Sequence, residues 1–76
     1  MFSKKIFAER IRVLRTEKNI KQSELGEMVG LTSNAISDIE RGRRATTLEK
    51  IDALADCFDV SVDYLMGRTD NPKVNR

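Results

Sequence analysis

Residues 22–41 read QSELGEMVGLTSNAISDIER, and this stretch decides the architecture. Leu25, Met28 and Val29 share one helical stripe beginning near Gln22, and Gly30 follows as a left-handed cap residue. Ile36 and Ile39 form the next stripe, with Thr32 or Ser33 as its N-cap and Gly42 as its stop. Two short helices joined by so brief a turn must cross at a steep angle. Gly26 is small enough for the second helix to approach the first, and Gly30 can adopt the positive φ that reverses the chain. Leu31 then plugs the gap beneath the turn. Leu25, Val29, Ile36 and Ile39 are the expected shared core.

Outward from this pair the same helical period continues. Phe7, Ile11 and Leu14 stand at i, i+4 and i+7, which predicts a helix over about residues 5–18. Asn19-Ile20-Lys21 interrupts it. On the other side Thr47 can cap a helix with the stripe Leu48, Ile51, Leu54, Ala55 and Phe58. Ser61 can cap a short fifth helix carrying Val62, Leu65 and Met66, closed by Gly67. Residues 68–76 hold the only proline and show no periodicity, so they read as a flexible C-terminal tail behind a domain of residues 1–67. The fold class is therefore all-α, a compact five-helix domain. A unit of this size buries only roughly 60 % of its unfolded surface, so association with a second copy would help it.

Composition narrows the chemistry. The 76 residues contain no histidine and one cysteine, Cys57. No imidazole base, intrachain disulfide or cysteine zinc cluster can be built from these. Cys57 reads as a small buried apolar residue, and a lone cysteine suits a reducing cytoplasm. No apolar run approaches the length of a membrane span. With no phosphate-cradling loop either, an enzyme, a cofactor, a metal and a small-molecule substrate are not expected.

Two segments, RIRVLRTEKNIKQSELGEMVGLTSNAISDIERGRR (residues 10–44) and VSVDYLMGRTD (residues 60–70), resemble the Cro/repressor-type helix-turn-helix family, also called the xenobiotic-response-element type. The resemblance covers about Phe7 to Gly67 and implies a lambda-repressor-like domain whose helices 2 and 3 form the helix-turn-helix. It implies that helix 3 lies in the major groove of DNA with its N-terminal residues at base edges. The base-facing candidates are then Thr32, Ser33, Asn34, Ser37 and Asp38. Asn34 can pair bidentately with adenine, and Asp38 can accept from cytosine N4. Thr32 serves equally as a helix cap, and Asp38 equally as a salt-bridge partner. The family's glutamine at the start of helix 2 implies a phosphate contact for Gln22, flanked by Lys21 and Ser23. Arg41, Arg43 and Arg44 complete the phosphate candidates, a solvated turn being the alternative for the last two. Thr46 stands where the family commonly has a proline, so this loop is expected to be the more flexible. The resemblance further implies a partly buried ion pair between Arg15 and Glu40, and a two-fold dimer contact near the C-terminus, with Tyr64, Met66 and Arg68 as candidates.

The charge of +2 is unevenly spread. Residues 1–48 carry ten Lys/Arg against six Asp/Glu, whereas residues 49–66 carry one Lys against five acids. A basic front would face phosphates, and an acidic back would point away. The function this implies is a double-stranded DNA-binding transcriptional regulator, a dimeric repressor on an inverted-repeat operator. A further protein or RNA polymerase is the other partner to consider. The alternative is an antitoxin-like or other helix-turn-helix module whose main partner is a protein.

Overall fold

The computed structural model describes residues 2–74. Five helices follow one another: α1 (Lys4–Glu17), α2 (Gln22–Val29), α3 (Ser33–Glu40), α4 (Leu48–Phe58) and α5 (Val62–Leu65). The described residues contain no strand. Four helix starts use the same device, a side-chain oxygen that accepts an orphan backbone N–H three residues on. Ser3 accepts from Ile6, Thr32 from Ala35, Thr47 from Lys50 and Ser61 from Tyr64, over 3.0–3.3 Å. α2 lacks such a cap. There the Glu24 carboxylate reaches back to accept the Lys21 N–H at 2.8 Å.

The helix ends follow from left-handed residues. Gly30 takes φ 75° after α2, Asn19 takes φ 57° after α1, and Asp59 takes φ 54° after α4. The last two are not glycines, but a short polar side chain tolerates this region better than other residues do. Lys50, in the first turn of α4, brings its ammonium beside Gly30. A cation at the carbonyl end of α2 is favourable there.

Phe7, Ile11, Leu25, Ile36, Ile39, Leu54 and Leu65 are fully buried and form one core. α3 packs on both α1 and α2, α4 bridges α2 and α5, and α5 returns to α1. Two stripe residues depart from expectation. Met28 is 60 % exposed and Leu48 67 % exposed. Met28 lies in the last turn of α2 and Leu48 is the first residue of α4, so both overrun the faces their helices bury. Cys57 is half-buried rather than enclosed, at the edge of the core. Burial pushes its thiol pKa up, and nearby Lys18 pulls the other way.

The segment after Gly67, read from its sequence as a flexible tail, makes specific contacts with the body. Arg10 donates to the Thr69 carbonyl at 2.7 Å and to Asp70 at 2.8 Å, and the Ser61 N–H donates to the Pro72 carbonyl at 3.0 Å. Asn75 and Arg76, the last residues of that expected tail, lie outside the described residues.

Candidate nucleic-acid interface

The α2–α3 joint is built on backbone contact. A Cβ placed on Gly26 would overlap the carbonyl oxygen of Leu31 and crowd the backbone of Thr32. Only glycine allows α2 to lie this close to the turn. The Leu31 N–H donates back to the Gly26 carbonyl at 2.8 Å, so the same close approach also closes the turn. Leu31 itself packs half-buried against the core.

A charged joint locks the other side of α3. Arg15 donates to both oxygens of Glu40, from Nε at 2.6 Å and from Nη2 at 2.9 Å. The side chains are 15 % and 4 % exposed. Hydrogen bonding to Glu40 raises the Arg15 pKa, against the lowering effect of desolvation. The remaining fork position, Nη1, donates to the Ile20 carbonyl at 2.9 Å and so holds the α1–α2 loop as well. Gln22 adds a further donor to Glu40 at 3.2 Å. One carboxylate thus ties α1, the start of α2 and the end of α3 together. Bidentate, charge-assisted bonding of this kind fixes orientation as well as adding energy.

The face of α3 away from these joints carries the base-facing candidates. Thr32, Ser33 and Asn34 are exposed, and Ser37 and Asp38 are half-buried. Thr32 is occupied as the N-cap, since its Oγ1 accepts from Ala35 at 3.0 Å. The Asp38 carbonyl accepts the Arg43 N–H at 2.9 Å, which folds the basic loop back onto α3. Arg41, Arg43 and Arg44 are all exposed, as are Lys21 and Ser23, while Gln22 is half-buried. The candidates thus divide into a polar helix start and cations at the start of α2 and the end of α3.

The sequence that builds these two short helices and their glycine contact matches the helix-turn-helix family model over residues 11–65. The chain belongs to the Cro/repressor-type helix-turn-helix family. It is 37 % identical over 65 residues to the control protein C.SmaI of Serratia marcescens, covering 86 % of this chain and 77 % of that protein. It is 34 % identical over 73 residues to the HTH-type transcriptional regulator YobD of Bacillus subtilis, covering 93 % of this chain and 65 % of YobD. The crystal structure of the P22 c2 repressor in complex with a synthetic operator superimposes with a TM-score of 0.80 at 38 % identity, covering 84 % of this chain and 97 % of that one. The full repressor protein C2 of Salmonella phage P22 is much longer, and this chain spans only 28 % of it.

The C-terminal candidates sit on the opposite side of α1. Tyr64 and Met66 are half-buried and Arg68 is exposed. The Arg10 guanidinium lies 4.0 Å above the centre of the Tyr64 ring and also donates to the Tyr64 carbonyl. The Met66 carbonyl accepts the Ser3 N–H at 3.2 Å. Arg10 is the organising residue of this region, and sequence reasoning assigns it no role. Its position offers a signal: it stands three residues after Phe7 and four before Leu14, on the flank of the α1 core stripe. A cation there must find acceptors across the helix boundary.

Proposed function

We propose that this chain is a sequence-specific regulator of transcription that binds double-stranded operator DNA as a homodimer in the cytoplasm, with repression by promoter occupancy. The observation that carries the reading is the polar N-terminal half of α3, turned outward and held by two independent locks. In this reading Asn34, with Ser33, Ser37 and Asp38, contacts base edges in the major groove. Thr32 combines its capping role with a methyl group near the bases. Lys21, Gln22, Ser23, Arg41, Arg43 and Arg44 hold phosphates and set the register of α3. Gln22 can do so without releasing Glu40, because an amide nitrogen carries a second N–H. Tyr64, Met66 and Arg68 contribute to the two-fold contact.

Support comes from the family match, from the operator-bound P22 repressor among its structural neighbours, and from the basic charge of residues 1–48. Selection of bound duplexes from a random pool tests it. Enrichment of an inverted repeat, with half-sites about 34 Å apart, is the expected result. A pool that shows no enrichment, from a chain that copurifies with another protein at fixed stoichiometry, would instead favour a protein-binding module.

A further inference from the structure

We infer that the groove between α1, the start of α2 and the end of α3 is a second phosphate-binding strip, in which Lys5 and Arg12 grip the sugar-phosphate backbone of the bound duplex. The inference rests on the DNA-binding reading and extends it to a helix that this reading leaves out.

The groove is open, holds about 620 Å³, and is lined by Lys5, Glu9 and Arg12 from α1, by Gln22, and by Arg41. Arg15 and Glu40 also reach it, but they neutralise one another in their bidentate pair. Among the described residues, Lys5, Arg12 and Arg41 make no ion pair. Three uncommitted cations therefore face one opposing carboxylate, Glu9. Lys5 and Arg12 are exposed, which leaves both heads free to move onto a ligand. They stand seven residues apart on one face of α1, about 10 Å at 1.5 Å per residue. Successive phosphates of one strand advance only about 3.4 Å along the duplex axis, so the two cations address different phosphates. A small free anion would engage one of them and leave the other idle. The strip also shares Gln22 and Arg41 with the phosphate set already proposed, and the first turn of α2 adds backbone donors without intrahelical acceptors. A polyanion that runs past the start of α2 thus meets a continuous row of donors from α1 to α3.

The test compares the full-length chain with Lys5→Gln/Arg12→Gln on a mixed-sequence duplex, following affinity against salt concentration. The slope of log K against log salt should become shallower by about one for each phosphate that is no longer neutralised, with weaker binding to all sequences alike. The melting temperature should not change, because neither side chain is paired in the free protein. Lys5→Arg/Arg12→Lys should keep the wild-type slope. Glu9→Gln should bind more tightly, a gain that cannot arise from misfolding. A double-Gln variant with the wild-type slope, or a Glu9→Gln variant with no gain, overturns the strip while leaving the DNA-binding reading intact. A wild-type chain that binds no duplex at all overturns both.

Discussion

The front and the rear of α1 are held by an arginine each, and the two arginines behave differently. At the front, Arg15 meets a side-chain carboxylate that is 4 % exposed, on a helix whose preceding turn lies against the backbone of α2 at Gly26. At the rear, Arg10 meets backbone carbonyls, an aromatic ring, and the Asp70 carboxylate, which is fully open to solvent. The front is over-determined, since the glycine contact and the ion pair each orient α3. The rear has one backbone tie, from the Ser3 N–H to the Met66 carbonyl, and otherwise relies for its polar contacts to α1 on Arg10 and the segment after the last helix. A recognition surface needs a fixed geometry, because a misplaced helix misses every base edge at once. The contrast is between a doubly fixed α3 and a C-terminal side whose charged partner, Asp70, is open to solvent.

The largest predicted effect breaks the front. Glu40→Ala leaves the Arg15 charge buried without a carboxylate and should cost about 3–5 kcal/mol, read by denaturant unfolding. A variant with unchanged stability would show that the front is no tighter than the rear. Gly26→Ala comes next. The added methyl forces α2 away from Leu31, and overpacking of this kind costs about 1–3 kcal/mol. Because the joint angle changes too, DNA affinity should fall further than the drop in stability alone accounts for. Equal proportional losses would contradict a joint that sets the reading angle.

Arg10→Ala tests the rear. It removes charge-assisted bonds and a cation–π contact, and about 1–2 kcal/mol is expected given partial exposure. Amide exchange should speed up in residues 68–71 and be unchanged in α3. Faster exchange in α3 would mean that the two sides are not separable. The smallest effect is expected at Met28 and Leu48, where substitution by Ala should stay within about 0.5 kcal/mol by thermal melting. A larger loss at either would place it in a contact that its exposure does not suggest.

What is legible in the sequence is mostly local. Thr32, Thr47 and Ser61 cap helices because a hydroxyl acts on an N–H three residues away, and that spacing is visible in any sequence. Gly26 and Gly30 are legible for a similar reason, since a close backbone approach and a left-handed helix end both favour glycine. Met28 and Leu48 are misplaced by their stripes because periodicity identifies a face but not how far along it the neighbouring helix extends. Arg10 escapes sequence reasoning because its acceptors lie 54–60 residues away, beyond any local pattern. The groove cations Lys5 and Arg12 share that difficulty. They acquire meaning only when α1 is set against the end of α3. Arg15 and Glu40 fall between these cases: the family pattern names the pair, and the three-way tie through Gln22 and Ile20 emerges from the structure.

In the proposed reading the outward face of α3 and its basic loop contact DNA, while Gly26 and the Arg15–Glu40 pair behind them hold α3 in place. The direct measurement is duplex affinity and unfolding midpoint, taken together, for Asn34→Ala/Arg43→Ala against the wild-type chain on its selected operator. Both residues are exposed, so the midpoint should stay where it is. Operator affinity should fall, with relaxed preference at the base pair that Asn34 contacts and a shallower salt slope from the removal of Arg43. Wild-type affinity and preference in a variant with an intact midpoint would contradict the account.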